Sequence, residues 1–292
     1  MRTERFAPSP TGPLHLGHAF SALTAWDRTQ AASGRFLLRF EDIDRSRARP
    51  EWETAILDDL RWLGLDWPTP VLRQSTRLPA YRAALETLRD RGLLFACTCT
   101  RRDIAQAATA PQEGDPPVGP DGVIYPGTCR ANRLCPGAPL PANAALRLDM
   151  RAATRSCGAL AFAETGPATA MDRVHVAADT LINGVGDVVL ARRDLGTSYH
   201  LSVVVDDAHQ GVTHVTRGAD LFAATQIHVL LQHLLSVPTP SYHHHRLIRD
   251  ADGRRLAKRD DARALAKYRA EGTTTAALRR LLGLGAARPS RT

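Results

Sequence analysis

Lysine is almost missing from this chain. Its 292 residues include 38 basic side chains, yet only Lys258 and Lys267 are lysines and every other positive charge is arginine. The skew is read as compositional bias, but it makes each lysine worth examining. Aromatics are scarce at 5%, while the 43% of hydrophobic residues is ordinary for a globular protein. No apolar run is long enough to span a bilayer, and no apolar segment follows Arg2 and Arg5. A membrane-spanning or secreted class is therefore excluded, and the cytoplasm is expected. Cysteine is confined to Cys97, Cys99, Cys129, Cys135 and Cys157. An odd set of this kind argues against a disulfide framework.

What is present points to a polyanionic partner. The net charge of +8 and a pI near 9.8 favour RNA. A chain of 292 residues buries a large core and holds two domains, or one with an insertion.

The segment Phe6-Ala-Pro-Ser-Pro-Thr-Gly-Pro-Leu-His15-Leu-Gly-His18 joins a strand over Thr3 to Pro8 to a helix from Leu16 to about Ala32, with Gly34 as its stop. A helix N-terminus presents unpaired N–H groups and partial positive charge, which suit a phosphate. Gly17 allows close backbone approach, and His15 and His18 add donors that follow charge developing on a reacting phosphate. The competing reading is an ordinary turn carrying two surface histidines.

Further along, Arg35 to Phe40 reads as a strand ending at Glu41-Asp-Ile-Asp44. Pro50 opens a helix closed by Gly64, and Pro79 opens one closed by Gly92. From Cys97 to Pro141 the pattern breaks, and Pro and Gly crowd residues 110 to 143 into loops. Regular structure returns at Ala145 to Met150. Asp187 to Arg192, Leu201 to Asp206 and Val212 to Arg217 read as strands, Gln226 to Leu235 as a helix, and Asp261 to Leu284 as a helical tail broken at Gly272. Alternating strands and helices imply a doubly wound, Rossmann-like α/β core with a parallel sheet. Ligands then sit outside the carboxyl ends of the strands, where Pro8 to His18, Glu41 to Asp44, Asp206-Asp207 and Arg217 are expected to converge. The triplet His243-His-His245 reads as a polar loop at the rim, because three consecutive side chains do not share one face.

Cys97-Thr-Cys99 supplies two thiolates on one segment, with Tyr125 and Cys129 beyond a Pro/Gly-rich loop. Zinc prefers four thiolate or imidazole ligands, so chemistry alone favours Cys135 over a phenolate as the fourth. Arg254-Arg255-Leu-Ala-Lys258-Arg259 is a basic run in which Lys258 offers a mobile point charge for a triphosphate.

Together these motifs resemble class I aminoacyl-tRNA synthetases. The run from Phe6 to His18 is similar to their ATP-binding signature, and Arg5-Phe-Ala-Pro-Ser9-Pro-Thr-Gly to its glutamate-specific form. The Lys258 run resembles the second signature, Lys-Met-Ser-Lys-Ser, loosely: Arg255 stands at the first lysine, and Ala257 and Arg259 at the serines. Val203-Val-Val-Asp-Asp and Arg217-Gly-Ala-Asp extend the resemblance over nearly the whole chain. Cys97-Thr-Cys99 followed by Tyr125 and Cys129 resembles the zinc site of the glutamyl-Queuosine tRNA(Asp) synthetases, which shifts the expected fourth ligand to Tyr125. The chain ends at Thr292 soon after Lys258, where glutamyl-tRNA synthetases continue into an anticodon-binding region, and that too fits the queuosine branch.

The resemblance implies a catalytic core over 1–95 and 191–240, an inserted zinc subdomain over 96–190, and a lysine loop and helical tail over 241–292. It implies activation of glutamate by ATP with Mg2+, then transfer to the queuosine base of tRNA(Asp). Binding of ATP falls to His15, Gly17, His18 and Lys258, with His15, His18 and Lys258 catalytic. Glutamate falls to Arg5, Ala7, Ser9, Glu41, Tyr199 and Arg217, and one Zn2+ to Cys97, Cys99, Tyr125 and Cys129. A monomer is expected. Charging of a tRNA 3′ end, or tRNA binding without catalysis, are the rival expectations.

Overall fold

The computed structural model describes residues 1–109, 115–155, 157–248 and 263–286. The chain opens with β1 (Thr3–Phe6), α1 (Leu16–Ala31), β2 (Arg35–Phe40), α2 (Pro50–Trp62), β3 (Leu72–Arg73), α3 (Leu78–Asp90) and β4 (Leu94–Cys97). The middle carries α4 (Arg101–Thr109), β5 (Val118–Gly119), β6 (Gly122–Val123), β7 (Ala145–Leu148), α5 (Met150–Arg155), β8 (Leu160–Ala163), β9 (Arg173–Val176) and β10 (Val189–Ala191). It closes with α6 (Tyr199–His209), β11 (His214–Gly218), α7 (Thr225–Leu234), β12 (Ser241–His245), α8 (Leu265–Ala270) and α9 (Thr275–Leu281).

Strands β1, β2 and β3 form a parallel sheet, and β11 pairs with β12 in parallel. Backbone bonding joins the two, because Thr213 N–H donates to the Thr3 carbonyl at 3.0 Å. Both faces of β2 are buried, as a parallel strand requires. Phe36, Leu38 and Phe40 pack with α1 and with Ile56 and Leu60 of α2, while Leu37 joins Tyr81, Leu85 and Leu88 of α3 on the other side. Ile56 and Leu60 have no exposed surface. Truncating either to alanine costs about 2–5 kcal/mol by transfer loss and cavity formation.

The ends of α1 are set by local chemistry. His15 is its N-cap, its ring accepting from Gly17 N–H, while the His18 ring accepts from His15 N–H. At the other end Ser33, not Gly34, takes the left-handed conformation, at φ 48°. Gly34 is needed for space: a Cβ there would meet the Arg2 carbonyl oxygen at 2.4 Å.

Three sequence expectations are corrected. Leu201 to Asp206 is not a strand but lies within α6, which Ser198 caps by accepting from Leu201 N–H. The run Val203-Val-Val205 suited a buried strand, but a short apolar run does not distinguish a strand from a buried helix. Asp206 and Asp207 consequently sit inside a helix, not at a strand end. The triplet His243 to His245 lies in β12, a strand paired in parallel with β11, rather than in a loop. Helix α4 also lies inside the stretch where the pattern broke, and β4, β7 and β10 form an antiparallel sheet with β7 in the middle. No described helix is long and apolar enough to cross a membrane.

Candidate active site

At the carboxyl ends of β1, β2 and β11 lies a cavity of about 550 Å3. Arg5, Ala7, Ser9, His15, Gly17, His18, Glu41, Tyr199 and Arg217 all line it, so the expected glutamate and ATP residues among the described ones share one space, whereas Asp44, Asp206 and Asp207 do not line it. Helix α1 points its N-terminus there. Because Nδ1 of His15 and of His18 accepts a backbone N–H, the neutral form of each ring carries its proton on Nε2. The rings lie 3.8 Å apart, tilted by 34°.

Beneath the cavity a charged group ties β1, β2 and α6 together. Arg5 Nε donates to Asp207 at 3.0 Å, and Arg39 donates to Asp207 at 2.7 Å and to Glu41 at 3.3 Å. Burial pushes the Asp207 carboxyl up, but Arg5 and Arg39 outweigh it and hold it below the ordinary range. For Glu41 the balance is opposite: burial wins over Arg39 and Arg5, and its carboxyl is raised. A cationic ligand beside Glu41 would favour the ionised form. Arg39 is wholly buried and was not singled out from sequence.

Opposite, Arg217 is the hub of a buried polar network. Its Nε donates to His244 Nε2 at 3.1 Å, one Nη to His228 Nδ1 at 3.2 Å, and the other to Thr225 Oγ1 at 2.7 Å. Longer contacts reach Tyr199 Oη at 3.5 Å and the Leu221 carbonyl at 3.4 Å, and these are the weak ones that an incoming carboxylate could replace. Since Nε2 of His244 accepts, its Nδ1–H donates to Glu164, 2.5 Å away. Burial works against the Glu164 carboxylate, but bonds from His244 and from backbone N–H groups outweigh it and hold it at about 2. The triplet is split by the alternation of a strand: His243 bonds Thr165, His244 faces Glu164 and Arg217, and His245 bonds Ser21 of α1 at 2.6 Å.

A second space of about 1110 Å3 adjoins the first, and Tyr199 and Leu221 line both. Its lining mixes Arg101, Arg147, Arg192 and Arg193 with Asp44, Asp121, Asp187 and Asp194. Next to it, Cys97, Cys99 and Cys129 bring their sulfurs within 4.8 Å of one another, the one such group among the described residues. Tyr125 Oη lies 3.4 Å from Cys97 Sγ and 3.8 Å from Cys99 Sγ, and it accepts from Cys129 N–H at 2.8 Å. Tyr125 is thus with the thiols, whereas Cys135 is exposed and outside the group. The Tyr125 hydrogen bond lowers Cys129 to about 7, while burial raises Cys99 to about 11. Three thiols so close together supply three of the four positions of a tetrahedral zinc ion, with the Tyr125 phenol beside them.

Residues 2–119 and 154–291 match the family of class I tRNA synthetases (E and Q), catalytic domain. The chain belongs to this family. Among class I synthetases with similar sequences, a glutamyl-Q tRNA(Asp) synthetase of Rhodobacter capsulatus is 66% identical over 281 residues, covering 96% of this chain and 99% of that protein. A protein of the same name from Nocardia farcinica is 45% identical, covering 92% and 79%. A solved glutamate tRNA ligase from Elizabethkingia meningosepticum, in complex with its amino acid, superposes with a TM-score of 0.68 at 27% identity, covering 89% of this chain and 52% of that one. This chain therefore spans about half the length of that ligase. A methionyl-tRNA synthetase of Mycobacterium tuberculosis, at 10% identity and a TM-score of 0.57, shares the fold.

Lys258, with the run Arg254 to Arg259, lies outside the described residues. The chain on either side of them adjoins the synthetase cavity. Leu247 and Ile248 line it, and Ala264 bridges to His15 while Leu265 N–H donates to the Leu14 carbonyl at 2.8 Å. Sequence reasoning missed Arg39, Glu164, His200 and His228. Each is buried and bonds at least one partner distant in sequence, Arg39 to Asp207, Glu164 to His244 and His200 to His228, so local spacing does not reveal the network.

Proposed function

We propose that this chain activates glutamate with ATP and transfers the glutamyl group to the queuosine base in the anticodon of tRNA(Asp). The observation that carries the activation step is the single cavity shared by the histidine-capped helix N-terminus and the Arg5, Glu41 and Arg217 cluster. The acceptor is inferred from the relatives named glutamyl-Q tRNA(Asp) synthetase.

In the first step an α-carboxylate oxygen of glutamate attacks the α-phosphorus of ATP. A bond to that oxygen forms, the bridging P–O bond breaks, and pyrophosphate departs. The N-terminus of α1, with Nε2–H of His15 and His18, stabilises charge gathering on the phosphate. Lys258 follows the departing pyrophosphate, and Mg2+ accompanies the nucleotide. In the second step a queuosine hydroxyl attacks the activated carbonyl, an ester forms and AMP leaves. No protein nucleophile is required, so rate comes from positioning and electrostatics.

Glutamate is read by charge. Arg217 and Arg5 face its carboxylates, Glu41 receives its ammonium, and Tyr199, Ala7 and Ser9 shape the space. Glutamine would leave a guanidinium unpaired. The nucleotide carrying the acceptor hydroxyl enters from the second space, which meets the first at Tyr199. Cys97, Cys99, Tyr125 and Cys129 hold one zinc ion that orders the inserted segment 96–190 between catalytic halves 1–95 and 191–240. Metal analysis tests this: Cys97→Ser should lose the ion and Cys135→Ser keep it. The protein works in the cytoplasm as a monomer.

Mass analysis of tRNA(Asp) nucleosides after incubation with enzyme, glutamate and ATP tests the main reading. A glutamylated queuosine nucleoside is expected. Glutamate found only on the 3′-terminal adenosine would instead favour a glutamyl-tRNA synthetase.

A further inference from the structure

Two buried histidines connect the glutamate cavity to the inserted segment. His228 Nδ1 takes a hydrogen bond from Arg217, His228 Nε2 lies 3.1 Å from His200 Nδ1, and His200 Nε2 lies 3.2 Å from Asp121 Oδ1. His228 and His200 are 2% and 5% exposed, whereas the Asp121 side chain is 42% exposed, in the turn between β5 and β6. Asp121 and His200 line the second space, and Arg217 lines the first.

The direction of this chain of bonds is fixed by its ends. A guanidinium only donates and a carboxylate only accepts. Arg217 therefore makes Nδ1 of His228 an acceptor, which leaves the His228 proton on Nε2. That proton points to His200 Nδ1, so His200 carries its own proton on Nε2 and donates it to Asp121. A doubly protonated His200 would leave His228 accepting at both nitrogens and without a proton, an imidazolate. Burial and the Arg217 charge hold the His228 pKa well below its ordinary value, which agrees with a neutral ring.

We propose that Asp121, His200 and His228 are positioning residues for glutamate, forming a one-way hydrogen-bond relay that orients the Arg217 guanidinium from the wall of the neighbouring space. This rests on the reading of Arg217 as a glutamate-binding group. The Glu164–His244 pair fixes Arg217 from one side, deep in the core. The relay fixes it from the other and ends on the exposed turn between β5 and β6, at the wall of the second space. None of the three residues contacts the reacting atoms. Their effect falls on how well Arg217 is aimed, and so on glutamate rather than on ATP.

The test is glutamate-dependent pyrophosphate exchange by the full chain. His228→Leu should raise the glutamate KM about tenfold, the loss expected for one buried bond to a charged group, with the ATP KM unchanged. His228→Asn, which keeps an acceptor for Arg217, should recover most of that loss. Asp121→Leu should raise the glutamate KM by a few-fold and Asp121→Glu restore it. Arg217→Lys serves as the reference. An unchanged glutamate KM in that variant would reject the reading of Arg217 itself. A raised KM there, with normal values in His228→Leu and Asp121→Leu, would reject the relay alone. Nitrogen-15 spectra of the histidines in the unaltered protein give an independent readout. Both His200 and His228 should be protonated on Nε2 only, and a charged or Nδ1-protonated His200 would overturn the proposal.

Discussion

The two walls of the active-site cavity are built in different ways. One wall, from Phe6 to His18, is a continuous stretch of chain whose backbone and two histidines form their own cap. The other gathers Tyr199 from α6, Arg217 from β11 and His245 from β12, and its geometry depends on Glu164, His200, His228 and His244, spread over 80 positions between Glu164 and His244 alone. On the proposed reading the contiguous wall carries the phosphate chemistry through His15, Gly17 and His18, while its Ala7 and Ser9 reach the amino acid. A dispersed wall, locked by buried polar bonds, suits recognition of one amino acid, because every misplaced partner leaves an unpaired group.

The contrast can be broken most severely at Arg217. Arg217→Ala should lower kcat/KM for glutamate on the order of a thousandfold, mostly through KM, because a substrate carboxylate is left unpaired in a dry site. Steady-state exchange assays at varied glutamate read this directly. The next largest effect should come from the nucleotide side. Lys258→Ala should reduce adenylate formation on the order of a hundredfold while glutamate affinity stays nearly normal, since charge on the leaving group matters most in the transition state. A near-normal exchange rate would transfer that role to Arg255 or Arg259.

Stability should divide along the same line. Arg39→Met strips buried Asp207 of one of its two arginines, and denaturant unfolding should show a loss of about 3–5 kcal/mol. The smallest expected effect is on pH dependence. The Glu41 carboxyl is raised by burial, and only its ionised form pairs with an ammonium. The glutamate KM should therefore rise as pH falls through that raised value and level off above it, and Glu41→Gln should flatten the profile. An unchanged profile in Glu41→Gln would remove Glu41 from ammonium binding.

How much of this was legible in sequence follows the same division. The phosphate loop, β2 and helices α1 to α3 were readable because their signals are local: a histidine cap, Pro50 and Pro79 near helix starts, and apolar residues at helical spacing. Glu41 and Arg217 were placed near the site by their position at strand ends, while Tyr199 and the glutamate role of all three were reached through resemblance. The helix α6 was misread as a strand, since burial on all sides erases the amphipathic period that would have marked it. The relay and the Glu164–His244 pair were invisible, because their spacing in sequence is set by the whole fold. Tyr125 shows the opposite case: ligand chemistry favoured Cys135, but the fold packs Tyr125 against the thiols and leaves Cys135 exposed.

The most direct test of glutamyl transfer to queuosine uses labelled glutamate with three substrates: tRNA(Asp) containing queuosine, tRNA(Asp) lacking it, and tRNA(Glu). Label should appear only on the first and be released by mild alkali, as an ester requires. Equal labelling of tRNA(Asp) without queuosine, or strong labelling of tRNA(Glu), would contradict it.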